Sequence, residues 1–507
     1  MKQADKAPVR GHQAVQQQYA YDSIVASEQL RSLDAIESAM ERTNRNAAGA
    51  GGIYSVLGVR GSLGLADLRR AVAVLARRHP MMHARIGVDP KSDQLVFGTS
   101  GAAVPVVGID DEPDAWVDVL RRDMNAGATD ARGPLFAFAL LGRGLDAPTT
   151  EERTLIAFGH HAATDGVSLA AVLHELLEEL AKPRAWAPAP PDAIRSPLTG
   201  ATDPQQRQQL DALGVRVRSM AQGMASLVPD ERERLLDDLE RLEQRLPLGV
   251  ELSELHRWIA LVESADPDRV LVGPDAPPEP GTPVRTGLVV RRLSPEVGRA
   301  LASLARARGS SIHAVVSAAV LIAYARRHWA MVGAATPGSF PLLNAVSLRD
   351  KLRPPLPAHH LRMAATVALT HTRVAPGDRI WEIAGRAGEA IASAVERHRP
   401  LTGWFREEAG DRDEIPTSVP LVILSNVGRL PFRSRYGELE LREVYGGSVC
   451  HGISSINISF GAFGEGLFLG VHYEEPTIGG ASIEGFADVV IDVLSVAAQG
   501  GGPTAAL

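Results

Sequence analysis

The segment Phe158-Gly-His-His-Ala-Ala-Thr-Asp-Gly-Val-Ser168 decides the fold class and the chemistry. An apolar stretch at 154–158 leads into two adjacent histidines, and a leucine-rich amphipathic stretch at 168–180 follows the Asp-Gly pair. The pattern therefore predicts a strand, a short loop and a helix in direct succession. A loop at a strand end can present one imidazole outwards, where a histidine with a pKa near 6.5 accepts a proton at neutral pH.

Four residues of this segment are candidate functional residues: His160, His161, Asp165 and Gly166. One histidine can act as a general base, and the Asp165 carboxylate can fix the loop by pairing with a cation. Gly166 leaves space beside the loop or permits a backbone angle that other residues avoid. The alternative interpretation is a pair of hydrogen-bonded histidines at a strand end with no part in catalysis.

Composition limits the classes of function. The chain has 507 residues, more than one hydrophobic core usually serves, which predicts two large lobes. Its formal net charge is -7, from 53 basic and 60 acidic residues, and only 5% of residues are aromatic. A mildly acidic chain without a basic stripe has no general attraction to nucleic acid, so nucleic-acid binding is not expected.

Cysteine content and hydropathy indicate a reducing compartment, and we expect a cytoplasmic protein. Cys450 is the only cysteine, so the chain can form neither an internal disulfide nor a cysteine-based metal site, and no metal is predicted. Residues 1–18 are polar and lack the apolar core of a secretory signal. The longest apolar stretch, at 312–324, is too short to span a bilayer, so no transmembrane segment is predicted.

Strand and helix signals alternate on both sides of a proline-rich stretch, which predicts an α/β fold with two lobes. We expect a polar N-terminal arm at 1–30 and a first lobe with the histidine loop at 31–181. A linker at 182–204 then leads to a second lobe at 205–507, which begins with a helical insertion at about 205–262. A leucine face at 235–246 also leaves a coiled-coil partner helix open, although a helix lying on the second lobe is favoured.

Residue patterns place the individual elements. Strands are predicted at 53–60, 81–87, 133–142, 154–158, 287–293, 344–348, 366–370, 419–424, 456–460 and 467–473, and helices at 65–78, 168–180, 295–308, 311–327 and 482–498. Two lobes of this kind meet at a cleft, which is where ligand sites form.

The His-His-x-x-x-Asp-Gly pattern resembles the acyltransferase superfamily that is defined by this motif. That superfamily includes nonribosomal peptide condensation domains, chloramphenicol acetyltransferase-like enzymes, wax ester synthases and polyketide-associated acyltransferases. Four further segments resemble the family in order and spacing, over about residues 30–495: 76–85, 133–136, 346–355 and 425–428. The closest similarity is to the polyketide-associated branch. The resemblance implies two chloramphenicol acetyltransferase-like lobes that form a V with a tunnel between them.

The resemblance also implies roles for the residues of the loop. His161 would be the base that deprotonates the acceptor, and His160 would be structural. Asp165 would point away from the substrate and pair with Arg349, holding the loop, with Gly166 completing the motif.

Three residues of the second lobe are implied as substrate-binding. Asn426 would line the tunnel or stabilise the oxyanion, Ser425 lies beside it in the same motif, and His451 would line the tunnel. The Asp-Phe-Gly-Trp-Gly motif of plant enzymes is absent, and Ser459-Phe-Gly-Ala-Phe-Gly464 is expected to form a core strand and turn.

The function implied is transfer of an acyl group from an acyl-CoA or acyl-carrier-protein thioester to a hydroxyl, in lipid, polyketide or other secondary-metabolite biosynthesis. No bound cofactor is implied, because the CoA or phosphopantetheinyl thioester is a co-substrate. Two alternatives stay open: a free-standing condensation enzyme that forms an amide, and a non-catalytic recruiting module. The intact histidine motif favours catalysis.

Other chemistries lack their signatures. A serine hydrolase needs Gly-x-Ser-x-Gly, and the segment at 480–485 has one residue too many. His174-Glu175 lacks the second histidine of a metalloprotease. Cys450 and His451 are neighbours, but adjacent strand residues point to opposite faces, which disfavours a nucleophilic dyad.

Overall fold

The computed structural model describes most of the chain outside the proline-rich and insertion regions. The described residues are 21–46, 52–125, 131–145, 151–182, 285–352, 354–397, 422–448, 456–464, 466–475 and 478–500. The linker from residue 183 onwards and the helical insertion predicted at 205–262 lie outside them, as do Cys450 and His451.

Helices and strands alternate along the described residues, as the sequence predicts. The helices are α1 Ala35–Asn46, α2 Leu65–Arg78, α3 Trp116–Asn125, α4 Gly166–Leu180, α5 Pro295–Ala307, α6 Ile312–Val332, α7 Ile380–Arg397 and α8 Gly480–Ala498. The strands are β1 Gln29–Ser32, β2 Gly52–Arg60, β3 Ala84–Val88, β4 Leu95–Thr99, β5 Val106–Ile109, β6 Phe136–Leu141, β7 Glu152–His160, β8 Arg285–Leu293, β9 Gly338–Ser347, β10 Ala365–Val374, β11 Val422–Arg429, β12 Arg435–Tyr436, β13 Leu439–Ser448, β14 Ile456–Phe463 and β15 Gly466–Glu475.

The first large sheet holds the histidine-bearing strand near its centre. Its strand order is β12-β13-β2-β7-β6-β5, with β7 between β2 and β6. Residues 153–160 of β7 are all buried. A strand covered on both faces is an almost continuous apolar run, which explains the pattern that leads into the histidine pair. The strand therefore delivers His160 to the end of a rigid sheet.

The second large sheet has the order β10-β9-β11-β14-β15-β8. Strand β11 pairs in parallel with both β9 and β14, while the other neighbours are antiparallel. Helices α5, α6, α7 and α8 cover one face of this sheet and share its hydrophobic core. Helix α6 is buried on nearly all sides, as expected for a helix whose own residues are apolar on almost every face. The opposite face of the sheet is left to face the first lobe.

The boundary between the predicted lobes needs correction. Residues 205–507 were expected to form only the second lobe, but β12 and β13 belong to the first sheet, where β13 pairs antiparallel with β2. The chain thus leaves the second sheet after β11 and returns to it at β14. Long-range pairing of this kind is not encoded in a local pattern, so the sequence alone did not reveal it.

The predicted N-terminal arm also extends too far. Residues 1–20 lie outside the described part, but Ile24 is fully buried and β1 pairs with β4 in a three-stranded sheet with β3. The chain from residue 21 onwards is therefore part of the first lobe. Among the described residues no single helix is long and apolar enough to cross a membrane, although α5 and most of α6 pass such a test as one pair bent by 107°.

Candidate active site

The histidine loop is held tightly at both ends. Strand β7 ends at His160, and α4 begins at Gly166 with Asp165 as its N-cap. The Asp165 carboxylate accepts a hydrogen bond from the backbone N–H of Ser168 at 2.8 Å and from its hydroxyl at 2.9 Å. An aspartate at this position satisfies a backbone donor that a helix start leaves open. The loop therefore has little freedom, which suits a group that must be positioned for catalysis.

His161 lines the cavity, and only one of its two ring nitrogens is engaged by the loop. Its Nδ1–H donates to the backbone oxygen of Thr164 at 3.0 Å, which leaves the Nε2 lone pair available. Nε2 has no hydrogen-bond partner in the described part of the chain. Burial lowers the pKa of His161 below its usual 6.5, and the hydrogen bond to Thr164 and the nearby Asp165 charge offset only part of this shift. The imidazole is therefore neutral at physiological pH and ready to accept a proton.

His160 points the other way and is completely buried. Its Nδ1 accepts a hydrogen bond from the backbone N–H of Ala162 at 3.1 Å. Nε2 lies 2.8 Å from Glu41 Oε2 and 2.8 Å from the side-chain amide of Asn44, both in α1. These contacts support the structural role expected for His160.

Asp165 and Arg349 form a buried ion pair between the two lobes. The guanidinium donates Nε–H to Asp165 Oδ2 at 3.0 Å and Nη2–H to Oδ1 at 2.9 Å, and both side chains are 5% exposed. Arg349 also donates to the backbone oxygens of Pro357, His360 and Arg362 at 2.8 to 3.3 Å. The structure thus brings together two residues that are 184 positions apart.

Gly166 is required for close approach rather than for an unusual backbone angle. A Cβ at this position would lie 2.8 Å from Val427 Cγ1 in β11, while its φ is not among the positive values. Space is therefore the reason for glycine here.

A cavity of about 110 Å³ lies between the two sheets, and His161 lines it. Apolar side chains form most of its walls: Met40, Ile53, Met363, Ile423, Val427, Leu430, Val444 and Phe468. Polar lining comes from hydroxyl and amide groups: Tyr54, Ser55, Thr366, Ser425, Ser448, Asn457 and Ser459. Enclosed apolar pockets with a few convergent polar groups are typical of small-molecule sites. In the described residues no group of three or more His, Cys, Asp or Glu side chains could hold a metal ion.

The three substrate-binding candidates differ in outcome. Ser425 lines the cavity, and so does Val427, two residues further along β11. Asn426 does not; it is exposed, and its Oδ1 accepts a hydrogen bond from the backbone N–H of Gly428 at 2.8 Å. Asn426 is therefore not among the residues that line this cavity, because side chains alternate along β11. His451 lies outside the described residues.

A second polar pair at the cavity was missed by the sequence analysis. The hydroxyl of Tyr54 in β2 lies 2.5 Å from Nε2 of His472 in β15, and His472 Nδ1–H donates to the backbone oxygen of Asn457 at 3.3 Å. Burial raises the pKa of Tyr54, so the phenol stays protonated and donates to the imidazole. The pair joins the two sheets. No local motif marks it, because its members are 418 positions apart.

Comparison with known families decides the enzyme class. Residues 282–457, which include most of the second sheet, match the family model described as phthiocerol/phthiodiolone dimycocerosyl transferase C-terminus. The chain is an acyltransferase. No curated protein sequence matches it.

Solved structures establish the fold of this acyltransferase over nearly its whole length. Polyketide synthase associated protein 5 from Mycobacterium tuberculosis is 14% identical, with a TM-score of 0.56 over 93% of this chain and 99% of that chain. The first condensation domain of the calcium-dependent antibiotic synthetase is 18% identical, with a TM-score of 0.58 over 94% and 98%. Trichothecene 15-O-acetyltransferase from Fusarium sporotrichioides is 13% identical, with a TM-score of 0.61 over 95% and 98%. The predicted α/β fold of condensation domains and chloramphenicol acetyltransferase-like enzymes is confirmed.

Proposed function

We propose that this acyltransferase moves an acyl group from a CoA or carrier-protein thioester to a hydroxyl group, with His161 as general base. The observation that carries the proposal is the orientation of the His161 ring. Its Nδ1–H is held by the backbone oxygen of Thr164, and its unpartnered Nε2 belongs to a side chain that lines the cavity. The setting we propose is polyketide, lipid or related secondary-metabolite biosynthesis, in line with the family match of residues 282–457.

The reaction proceeds in two steps without an acyl-enzyme. The acceptor oxygen attacks the thioester carbonyl carbon while His161 Nε2 takes the hydroxyl proton, giving a tetrahedral intermediate and an imidazolium. The carbon–sulfur bond then breaks, and the imidazolium returns its proton to the leaving thiolate, so the products are an ester and a free thiol. General base catalysis of this kind contributes roughly 10²–10⁴-fold, and the remainder comes from holding the two substrates together.

The electrostatic environment of the loop suits this sequence of events. Burial keeps the imidazole neutral before the reaction, and the hydrogen bond to Thr164 stabilises the ring once it is protonated. The Asp165 charge favours the imidazolium at a distance, although its carboxylate is engaged with Arg349. The positive charge that forms during the reaction therefore develops on the His161 ring.

Related structures support a thioester donor and an oxygen acceptor. A starter condensation domain of similar fold, 13% identical with a TM-score of 0.58, was solved with C8-CoA. The trichothecene enzyme is named as an O-acetyltransferase. We transfer both properties to this chain as part of the proposal.

Thiol release from a panel of acyl donors tests the proposal. Acyl-CoA and acyl-carrier-protein thioesters are offered with alcohol or amine acceptors, and free thiol and product are measured. We expect alcohol-dependent thiol release by the wild type and its loss in His161→Ala. His371→Ala, which removes an exposed histidine from β10, is the matched control and should keep wild-type rates. Release that is equal with and without acceptor, or equal in both variants, contradicts the proposal.

A further inference from the structure

The face of the second sheet that looks into the cavity carries two serines that the mechanism does not use. Ser425 in β11 and Ser459 in β14 are register partners in the parallel pair. Their chain neighbours Leu424, Ile458 and Phe460 lie in the hydrophobic core on the opposite face. Because side chains alternate along a strand, the two serine side chains point into the cavity side by side, and both line it.

Both hydroxyls lack a hydrogen-bond partner in the part of the chain that the structure describes. Ser459 is only 1% exposed, and it lines the cavity rather than the outer surface. A buried hydroxyl without a partner is unfavourable, and a ligand that supplies one recovers the lost hydrogen bond. The serines are therefore available to a bound molecule.

Small residues give this row of the sheet room for a ligand. Ser459 pairs across to Gly470 in β15, which has no side chain. The next row on one side holds Asn457 opposite His472, and the row on the other side holds Phe468, so both flanking rows are bulkier. The serine row is thus a shallow groove in the cavity wall.

We propose that Ser425 and Ser459 form a polar subsite that binds a hydroxyl or carbonyl group carried within the apolar part of a substrate. The inference rests on the proposed acyl transfer, because it names the kind of chain that the same cavity accepts. The other walls are mostly apolar, among them Ile53, Met363 and Val444. A plain alkyl chain would leave both hydroxyls unpaired, whereas a chain with one oxygen at this depth pairs with them. The cavity therefore selects an oxygenated chain, on the donor or on the acceptor.

Binding to the His161→Ala protein tests the subsite, because this protein retains both serines and is not expected to consume its ligands. Calorimetry compares decanoyl-CoA with isomers that carry one hydroxyl at successive carbons, and decanol with decanediols. We expect one hydroxylated isomer, in one of the two series, to bind about tenfold more tightly than its alkyl parent, as a neutral hydrogen bond in an enclosed site allows. Adding Ser459→Ala should remove that preference and leave binding of the alkyl parent equal or tighter.

Controls separate the subsite from a structural effect and from the proposed function. Ser495→Ala, in α8 and remote from the cavity, should keep the full preference, and Ser425→Ala provides a second test if Ser459→Ala does not fold. A purely structural role would weaken both members of a pair equally. The inference is overturned if neither series shows a preference for a hydroxylated isomer, which includes the case of no binding at all. It is also overturned if the preference survives both serine variants. Turnover is measured separately, so a protein with the preference but without acyl transfer would refute only the proposed function.

Discussion

Replacing Arg349 by alanine should both destabilise the protein and abolish its activity. The substitution removes both guanidinium hydrogen bonds to Asp165 and leaves the carboxylate 5% exposed and unpaired by a cation. It also frees backbone oxygens of Pro357, His360 and Arg362. Breaking a buried pair by removing one partner costs about 3–5 kcal/mol. Since Asp165 caps α4 and anchors the histidine loop, His161 would lose its position as well.

Urea unfolding of Arg349→Ala, followed by fluorescence, measures the cost. The matched control is Arg292→Ala, which removes an ion pair with Glu443 whose side chains are 41% and 42% exposed. Exposed pairs contribute about 0–1 kcal/mol, so the control should unfold close to the wild type and keep its activity. The double variant Asp165→Asn/Arg349→Met removes both charges. Its loss in free energy of unfolding should be smaller than the sum of the losses in Asp165→Asn and Arg349→Met. Equal unfolding of Arg349→Ala and the control would refute the claim that this ion pair holds the loop.

Three further predictions address the histidine loop and the cavity. His161 must be neutral to accept a proton, and burial lowers its pKa, so kcat/KM should fall as the pH drops through a value below 6.5 and stay level above it. A midpoint of the kcat/KM profile above 6.5 would contradict the buried environment of His161. His160→Ala should lower the free energy of unfolding by about 1–3 kcal/mol, because the buried polar groups of Glu41 and Asn44 lose the imidazole that they contact. Circular dichroism during denaturation measures this loss. An unchanged unfolding midpoint would contradict the structural role of His160. Gly447→Ala places a Cβ 2.9 Å from the Tyr54 hydroxyl and closer still to His472, so it should lower the free energy of unfolding by about 1–3 kcal/mol. In Gly485→Ala, within α8, the new Cβ meets nothing within 4 Å, and the free energy of unfolding should rise by about 0.5–1 kcal/mol. Equal shifts of the two thermal unfolding midpoints would contradict the close packing at Gly447.

The sequence predicts elements well where the local pattern is strong. Helix α2 begins and ends at the predicted residues, because its apolar positions recur at helical spacing. Ser294 caps α5 with Pro295 as its first residue, as the residue types indicate. In the site, the histidine motif and its resemblance pointed to Asp165 and Arg349 as a pair, and they lie within hydrogen-bond distance.

Long-range features could not be predicted in the same way. Helix α1 supplies Glu41 and Asn44 to His160, but its sequence is polar and was not assigned. Strand β13 crosses to the first sheet, and a local pattern does not specify a partner strand. Ser459 was correctly expected in a core strand, yet one face of that strand proves to line the cavity. The polar alternation of Asn457 and Ser459 within β14 was the signal that could have shown it.

The most direct test of the account is the rate of acceptor-dependent ester formation by His161→Ala relative to wild type, measured with the best donor from the thioester panel. We expect a fall in kcat of about 10²–10⁴-fold, with unfolding unchanged, because the variant lacks the cavity-lining imidazole whose Nε2 is unpartnered. A folded His161→Ala protein that forms the ester at the wild-type rate would contradict the central claim.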